Sequence, residues 1–417
     1  MSNLYQELLW RGMIKECSNE ELAVELLNNK KTKFYCGFDP TGKSLTVGHL
    51  VQIVRIRLLQ LHGHIPYVLV GGATGLIGDP RQSTERNLLS IEESLANAEL
   101  IKKQLLKTID KNNAYFVNNY DWIKNISTIE FLRDFGKSFG INYMISKDLI
   151  QKRLETGISF TEFSYTILQA IDFWHLYTTE DVKIQFGGSD QWGNITSGLE
   201  LIRKRCGDSS QALGLSSPLL LKADGTKFGK SESGALWLDE NLTTPYELYQ
   251  YFINVADSDL ENYLKLLTLL SQNEIQLLLK FSKSEPEKRL AQIRLAEEIV
   301  KFVHGNDALE SAKRCSDALF SGEFSLLNDK EFEYFYKGIG GIEIHKNNNA
   351  LVIDLLLEAN LVKSKREARD FIMSSAISIN KIKLDNIETR ISSIPLFNNR
   401  YAVLQRGKKK FAIIRVS

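Results

Sequence analysis

An α/β fold built on a doubly wound parallel sheet is predicted by two features of the sequence. First, short runs rich in β-forming residues alternate with helical patterns, and these runs cover residues 33–38, 65–70, 114–117 and 183–186. Strands that alternate with helices are typical of parallel sheets made of βαβ units. Second, three of the runs end in glycine or polar residues. Because ligands bind at the carboxyl ends of parallel strands, the pattern also predicts one pocket at that edge of the sheet.

The remaining elements follow in order along the chain. Helical patterns over 45–61 and 91–108 connect the first strands. An aromatic-rich stretch over 121–148 predicts a helical insertion, whose aromatic side chains we expect mainly in a helix core. The pattern is helical throughout 245–320 and is followed by a glycine- and asparagine-rich stretch, 322–349, which is typical of a linker. A compact basic module ends the chain.

Composition restricts the class of protein. The 417 residues predict two or three domains, and 43% hydrophobic with 25% charged residues is typical of a soluble globular protein. The polar start and the lack of a long apolar run predict a cytoplasmic protein without membrane contact. The four cysteines are too scattered for a zinc site or a disulfide framework, so we expect no protein-bound metal.

The segment after the first predicted strand allows two interpretations. Residues 37–44 fit the P-loop pattern G-x-x-x-x-G-K-[ST]. Residues 40–49 instead resemble the nucleotide-binding signature of class I aminoacyl-tRNA synthetases, in which a proline is followed by an H-x-G-H-like tetrad. Both interpretations put phosphate near a helix N-terminus, but they require different enzymes.

A second loop, Lys227-Phe228-Gly229-Lys230-Ser231, favours the synthetase interpretation. Its mobile lysines suit a developing negative charge on phosphate, and the glycines give the backbone freedom. The segment resembles the K-M-S-K-S signature of the same enzyme class, in the K-F-G-K-[ST] form of the tyrosyl branch. Alone, such a loop is more often a solvated surface turn.

Polar residues in the middle of the chain agree with that branch. Tyr165, Gln169 and Asp172 are spaced i, i+4 and i+7 and would line one face of a helix. Such a stripe is also typical of a hydrogen-bonded core network. The neighbouring blocks 71–80 and 185–194, with the two signatures, closely resemble bacterial-type tyrosyl-tRNA synthetases, and the resemblance runs from about residue 35 to the C-terminus.

The resemblance implies a domain organisation. A Rossmann-like catalytic domain would cover 1–244 and include a helical insertion and dimerisation region at about 121–160. A helical anticodon-side domain (245–325) and a linker (326–350) would precede a small α+β, S4-type RNA-binding domain (351–417). The net charge of +1 divides into +7 over the last 67 residues and −6 over the rest, which suits a tail that binds a polyanion. A merely basic, soluble module has the same charge.

The resemblance also implies the substrates and their binding residues. The tyrosine phenol, ammonium and carboxylate groups would be bound, respectively, by Tyr35 with Asp172, by Asp79, Tyr165 and Gln169, and by Gln191. ATP would be bound by Gly37, Asp39, His49, Gly188, Asp190 and Lys230. The catalytic residues at the departing pyrophosphate, with Mg²⁺ that arrives on ATP, would be Thr41, Thr46, Lys227, Lys230 and Ser231. A possible lid contains Arg81 and Arg86. Thr46 stands where the first histidine of the tetrad usually stands.

The third substrate would be tRNA(Tyr), and the family implies a homodimer. Basic residues of the tail would contact its phosphates, namely Lys363, Lys365, Arg366, Arg406, Lys408, Lys409 and Lys410. The predicted reaction is ATP-dependent activation of L-tyrosine to tyrosyl-adenylate, followed by transfer of tyrosine to the 3′ end of tRNA(Tyr).

Two alternatives remain open at this point. A P-loop enzyme needs a second strand that ends in a magnesium-binding aspartate, whereas the strand at 65–70 ends in glycines. An RNA-binding protein with an inactive catalytic fold is the other alternative. The intact carboxylates Asp79, Asp172 and Asp190 argue against it.

Overall fold

The computed structural model describes residues 3–80, 88–155, 157–223, 225, 228–231, 234–345, 349–407 and 410–417. Lys230 and Ser231 are described only in their backbone. The chain divides into two units, of which the first comprises Met1–Leu238 with Ala256–Ser284 and the second Asp239–Val255 with Glu285–Ser417.

The described elements are numbered in chain order. The strands are β1 Glu16–Cys17, β2 Lys33–Phe38, β3 Ile65–Val70, β4 Tyr115–Asn118, β5 Ile184–Gly188, β6 Leu213–Ser217, β7 Lys230–Ser231, β8 Gly234–Ala235, β9 Gly341–Ile344, β10 Ile377–Ile379, β11 Ile382–Lys383, β12 Tyr401–Arg406 and β13 Lys410–Val416. The helices are α1 Leu4–Arg11, α2 Glu20–Val24, α3 Leu50–Leu61, α4 Thr74–Ile77, α5 Ile91–Thr108, α6 Tyr120–Ile123, α7 Thr128–Glu130, α8 Ile141–Ile145, α9 Asp148–Leu154, α10 Phe160–Glu180, α11 Trp192–Cys206, α12 Pro245–Ile253, α13 Asp257–Leu267, α14 Gln272–Ser284, α15 Leu290–His304, α16 Asn306–Ser321, α17 Asp329–Gly338, α18 Val352–Glu358 and α19 Lys365–Met373.

The first unit contains the predicted parallel sheet. Its strand order is β1-β6-β5-β2-β3-β4, and only β1 runs antiparallel to its neighbour among these described strands. The four predicted strands are β2 to β5, so the prediction of a doubly wound α/β sheet is confirmed. The chain builds outward from β2 to β4 and then returns to β5 on the other side of β2. This reversal creates a switch point between β2 and β5, where ligands bind in open α/β sheets.

Helix α10 carries the polar stripe that the sequence predicts. It begins at an N-cap, where the Ser159 side chain accepts a hydrogen bond from the backbone N–H of Glu162, and ends at Asp181 in the left-handed conformation. The helix packs against α11, and both helices contact the sheet. Phe173 and Leu176 are buried against Tyr35 of β2, which fixes the rotation of the helix about its axis.

The insertion between β4 and α10 is helical but broken. The short helices α6 and α7 are followed by a π-helical turn at Phe131–Phe135 and a 3₁₀ turn at Gly136–Ser138, and then by α8 and α9. Phe135 and Phe139 are buried against α10, as expected for helix-core aromatics, whereas Tyr143 is exposed.

The second unit corrects the prediction of a linker over 326–350. Helix α17 begins at a capping box between Asn328 and Glu331, and β9 pairs in parallel with β13. The glycines that suggested a linker have local roles instead. Gly340 has φ of +98°, and a Cβ atom on Gly341 would lie 2.5 Å from the carbonyl oxygen of Ile413. Strand β9 completes a five-stranded sheet of order β11-β10-β12-β13-β9.

The helical region predicted as one domain over 245–325 is divided between the units. Helices α12, α15 and α16 pack together in the second unit, while α13 and α14 belong to the first. The buried Arg11 guanidinium of α1 donates to the carbonyl oxygens of Lys265, Thr268 and Leu270, so it satisfies the C-terminal end of α13. None of the described helices has the length and hydropathy needed to cross a membrane.

Candidate active site

A cavity of about 410 Å³ lies at the carboxyl ends of β2 and β5 in the first unit. Its volume is in the range of small-molecule sites. Predicted site residues that line it are Tyr35, Gly37, Asp39, Thr41, Thr46, His49, Asp79, Tyr165, Gln169, Asp172, Gly188, Asp190 and Gln191. The structure therefore brings together the predicted tyrosine and nucleotide groups.

Several predicted residues cannot be placed. Arg81, Arg86 and Lys227 lie outside the described residues. The side chains of Lys230 and Ser231 are also outside the described part, although their backbone forms β7 and pairs with β8.

The lysine loop is joined by backbone hydrogen bonds to the segment that carries Thr46. Leu236 donates from its N–H to the carbonyl of Gly229, and its own carbonyl accepts from the N–H of Val47 at 3.0 Å. Thr46 forms an antiparallel bridge with Trp237. Gly229 has φ of +78°, and a Cβ atom there would lie 2.5 Å from Val47 Cγ2. The two signature segments thus form one backbone assembly.

Asp172 and Tyr35 form the closed end of the cavity. The Asp172 carboxylate is 2% exposed and accepts hydrogen bonds from Asn119 Nδ2 at 3.0 Å and Trp122 Nε1 at 2.9 Å. Burial raises the pKa of Asp172 to about 7, although these two donors lower it. The Tyr35 hydroxyl is buried and has no hydrogen-bond partner among the described residues. An unpaired buried hydroxyl is costly, so this end suits a ligand with a polar group.

Asn119 was not predicted, although it organises the closed end. Its Oδ1 accepts from the N–H of Ala73 at 2.8 Å, and its Nδ2 donates to Thr74 Oγ1 and to Asp172. The available sequence signal was its position directly after β4, at the same sheet edge as the other loops. Trp122 comes from the insertion and carried no such signal.

Asp79, Gln169 and Gln191 meet around a second unpredicted residue, Asn194. Asp79 accepts from Gln191 Nε2 at 2.8 Å and from Asn194 Nδ2 at 3.3 Å. Asn194 Nδ2 also lies 3.1 Å from Gln169 Oε1, while its Oδ1 accepts from Thr166. The residues predicted to bind the substrate ammonium and carboxylate groups therefore form one polar network. Asn194 is the last residue of the sequence block 185–194, which supported the resemblance to the synthetases.

Tyr165 lines the cavity, but its hydroxyl bonds Asp39 and not Asp79, the carboxylate with which it was predicted to bind the substrate ammonium. Its hydroxyl donates to Asp39 Oδ2 at 2.6 Å, and Thr74 Oγ1 donates to Asp39 Oδ1 at 2.8 Å. Burial and the charges of Asp39 and Asp79 raise the pKa of Tyr165 well above 10, so the phenol stays a donor. At Gly71, a Cβ atom would lie 2.3 Å from Asp39 Oδ1, so only glycine fits beside this carboxylate.

Thr46 and His49 lie together at the mouth of the cavity. They form a capping box around the 3₁₀ turn Val47–His49. Burial lowers the pKa of His49, so its imidazole is neutral at pH 7. Because the N–H of Thr46 donates to Nδ1, the ring proton is assigned to Nε2, which is left as a donor.

The P-loop interpretation is wrong for this geometry. Ser44 is buried outside the cavity, and its hydroxyl donates to the carbonyl of Leu45. Lys43 is exposed and does not line the cavity. A P-loop would need both side chains at the phosphate.

The predicted RNA contacts lie in the second unit. Lys363, Lys365 and Arg366 are exposed at the start of α19, while Arg406 and Lys410 face each other across β12 and β13. Arg406 forms an ion pair of 3.3 Å with Glu367 of α19, so the two segments meet on one surface. Lys365 pairs with Asp354, and Lys408 and Lys409 lie outside the described residues.

Comparisons with known proteins show the family of the chain. A family model described as tRNA synthetases class I (W and Y) matches residues 27–321, and one described as the tyrosine–tRNA ligase SYY-like C-terminal domain matches residues 331–414. A tyrosine–tRNA ligase of onion yellows phytoplasma is 50% identical over 414 residues, which are 99% of each chain. One from Geobacillus stearothermophilus is 48% identical over 418 residues, again 99% of each chain.

A solved structure is also similar over most of the chain. The C-terminally truncated mitochondrial tyrosyl-tRNA synthetase of Coccidioides posadasii is 31% identical and has a TM-score of 0.66, covering 75% of this chain and 92% of that one. Because the identity to bacterial relatives extends over the full length and the family models match both parts, the chain belongs to the bacterial tyrosine–tRNA ligases, a family of class I aminoacyl-tRNA synthetases.

Proposed function

We propose that the cavity joins L-tyrosine and ATP to form tyrosyl-adenylate and then transfers tyrosine to the 3′ end of tRNA(Tyr). The observation that carries this proposal is the closed end, where the Tyr35 hydroxyl and the Asp172 carboxylate are buried together and the hydroxyl has no hydrogen-bond partner in the part of the chain that the structure describes. A phenol hydroxyl placed there would donate to Asp172 and accept from Tyr35. Phenylalanine would leave both groups buried without that partner, so the same pair would reject it.

The polar network beside the closed end suits an amino-acid backbone. A substrate ammonium would donate hydrogen bonds to the Asp79 carboxylate and the Gln169 amide oxygen, both of which already accept from Asn194. Tyr165 would contribute to the same ammonium site, and the hydrogen bond from its hydroxyl to Asp39 holds its ring in place. Gln191 would turn its amide donors toward the substrate carboxylate, which has to remain free to attack ATP.

The nucleotide would occupy the open end. Gly37, Asp39, His49, Gly188 and Asp190 line it, and glycines allow the ribose and base to approach the backbone. The tyrosine carboxylate oxygen forms a bond to the α-phosphorus of ATP, and the bond from that phosphorus to the pyrophosphate oxygen breaks. The substrate supplies the nucleophile, so catalysis depends on positioning and on charge stabilisation.

Stabilisation of the departing pyrophosphate is assigned to the two signature segments and the lid. These residues are Thr41, Thr46, Lys227, Lys230 and Ser231, with Arg81 and Arg86 from the lid. Mg²⁺ would arrive with ATP as part of the substrate. The carboxylates of Asp39 and Asp79 already accept hydrogen bonds from protein donors, so we assign no protein ligand to the ion.

Partners beyond the small substrates are a tRNA and a second copy of the chain. The basic surface formed by the start of α19 and the β12–β13 hairpin suits tRNA phosphates. Dimerisation through the insertion is supported by large apolar side chains that are exposed there, namely Ile129, Leu132, Ile141 and Phe160. We expect the enzyme to act in the cytoplasm.

The test is tyrosine-dependent exchange of pyrophosphate into ATP by the full-length protein, with a panel of amino acids that includes phenylalanine. We expect exchange with tyrosine alone, and charging of tRNA(Tyr) in a second assay. Exchange that is absent, or that is equal with phenylalanine, would contradict the proposal. A Lys43→Ala variant is the matched control, because this lysine lies outside the cavity.

A further inference from the structure

A buried guanidinium lies behind the nucleotide end of the cavity. Arg55 of α3 is 0% exposed, and its Cζ atom lies 4.3 Å from the centre of the Phe186 ring. Within the described part of the chain, no carboxylate forms an ion pair with it, and its Nε and Nη1 atoms have no hydrogen-bond partner. The titratable group that interacts with it is the Cys36 thiol. Burial of a charge without a carboxylate partner is costly, so its presence calls for a role other than packing.

The contacts of Arg55 lead to the cavity wall. Its Nη2 donates to Oε1 of Gln52, one turn earlier on α3. The same oxygen lies 3.6 Å from the Cys36 thiol sulfur, and both Gln52 and Cys36 line the cavity beside His49. Burial lowers the pKa of Arg55 to about 10, so the side chain still carries its charge at pH 7.

The bond from Arg55 fixes which way the Gln52 amide faces. Because Oε1 accepts from the guanidinium, the NH₂ group lies on the other side. One of its two N–H groups donates to Ser217 Oγ at 3.1 Å. The second is left to donate to an acceptor in the cavity.

We propose that Arg55 is a positioning residue for the nucleotide, which holds the Gln52 amide so that its free N–H donates to an oxygen atom of ATP. The buried positive charge behind Gln52 also favours an anionic ligand in front of it. The closed end of the cavity, where tyrosine would bind, is contacted by other residues, so a change at Arg55 should affect the binding of ATP and not that of tyrosine. This inference rests on the proposed ATP-dependent activation.

The test uses exchange kinetics of the full-length Arg55→Met, Gln52→Ala and double variants, with ATP and tyrosine titrated separately. Removal of one charge-assisted hydrogen bond predicts a rise in KM for ATP of about tenfold in either single variant. The KM for tyrosine should stay within about twofold of the wild type. Because Arg55 acts through Gln52, the double variant should resemble Gln52→Ala alone, since residues that share one interaction are not additive.

Thermal unfolding separates this role from a structural one. Arg55→Met replaces an unpaired buried charge by an apolar side chain, so its Tm should be equal to or above that of the wild type. Arg55→Lys keeps the charge without the planar fork and should recover only part of the ATP affinity. Arg57→Met, two residues later on the same helix, is the control and should leave both KM values unchanged.

Several results would overturn the inference. Equal rises in both KM values, or additive effects in the double variant, would show a general structural defect. An unchanged KM for ATP in an active Arg55→Met enzyme would remove the inference and leave the proposed function intact. If Arg55→Met does not fold, an unchanged KM for ATP in Gln52→Ala would remove the inference in the same way. A wild-type protein without exchange would overturn the proposed function as well.

Discussion

Thr46 contacts Nδ1 of His49 through its backbone N–H and its hydroxyl. The backbone N–H of Thr46 donates to Nδ1 of His49 at 3.1 Å, and the threonine hydroxyl oxygen lies 3.1 Å from the same nitrogen. The residue that replaces the usual first histidine of the signature therefore orients the second one. This arrangement leaves the Nε2 proton of a neutral imidazole as the donor at the cavity mouth.

Thr46→Val should separate the role of the Thr46 hydroxyl from that of its backbone N–H. Valine keeps the shape and the backbone hydrogen bond but loses the hydroxyl. We expect the rate of adenylate formation to fall about fivefold, which corresponds to one neutral hydrogen bond, with the KM for tyrosine unchanged. Pre-steady-state measurement of adenylate formation checks this. A Thr46→His variant that forms adenylate at the wild-type rate would show that this position matters less than the signature suggests.

Tyr35→Phe tests the closed end of the cavity. The hydroxyl has no partner among the described residues, so its loss should not lower the Tm of the free protein. The KM for tyrosine should rise about tenfold, because one hydrogen bond to the substrate phenol is lost. Exchange with tyrosine and phenylalanine, beside differential scanning calorimetry, gives both numbers. A lower Tm with an unchanged KM would mean that the hydroxyl serves the fold.

Trp122→Phe should shift the pH dependence of tyrosine activation. Burial raises the pKa of Asp172 to about 7, and the bond from Trp122 Nε1 favours the ionised form. Without this donor the pKa should rise further, so the limb of kcat/KM for tyrosine that follows this carboxylate should move to higher pH. A pH–rate profile measures it, and Trp174→Phe, in the neighbouring aromatic cluster, is the control. An unmoved profile would contradict the assignment.

Asp172 also gives stability a defined pH dependence. Its pKa in the folded protein lies above its ordinary value of 3.8, so the folded state binds more protons than the unfolded state between the two values. The free energy of unfolding should therefore fall as pH rises from about 4 to about 7. Asp172→Asn should remove this part of the slope. Denaturant unfolding of both proteins at pH 5 and pH 7 provides the comparison.

The two lysines that the competing interpretations select should behave differently. Lys230→Ala should lower the rate of adenylate formation about a hundredfold, the effect expected for loss of a group that stabilises a developing charge. Tyrosine affinity should change little. Lys43→Ala should retain wild-type exchange, because the side chain is exposed outside the cavity. Equal losses of rate and tyrosine affinity in Lys230→Ala would refute the assigned role.

The affinity of the basic tail for tRNA(Tyr) should depend on the salt concentration. Arg366→Ala should reduce the slope of log affinity for tRNA(Tyr) against log salt by about one phosphate contact. Tyrosine–ATP exchange should be unaffected, since the change lies outside the first unit. Filter binding at several salt concentrations, with the exposed Lys301→Ala as the control, measures the slope. An equal slope in both variants would show that Arg366 does not contact the RNA.

Strand positions could be predicted from the sequence because they follow local rules, whereas most cavity residues were predicted from the resemblance to class I synthetases. The runs at 33–38 and 65–70 have the composition of buried strands, and their glycine-rich ends identify the ligand edge. Asn119, Trp122 and Asn194 could not be assigned in the same way. Each acts through a hydrogen bond to a residue far along the chain, and a bond such as Asn119 to Asp172 depends on packing that a local pattern does not encode.

The wrong linker prediction has a similar cause. Glycines at 338, 340 and 341 have the composition of a flexible segment, but Gly341 is needed because a neighbouring strand approaches its backbone closely. Arg55 gave no signal either, since its position on an apolar helix resembles that of any amphipathic arginine. Its significance comes from burial without a carboxylate partner among the described residues.

The pairing of β13 with β9 affects how the protein is made. Strand β13 follows β9, β10, β11 and β12 along the chain, yet it lies between β12 and β9 in the finished sheet. The sheet of the second unit can therefore close only after β13 has been synthesised, and until then β9 lacks the strand with which it pairs. A premature stop codon a few residues upstream would remove a central strand, so we expect such products to aggregate or be degraded.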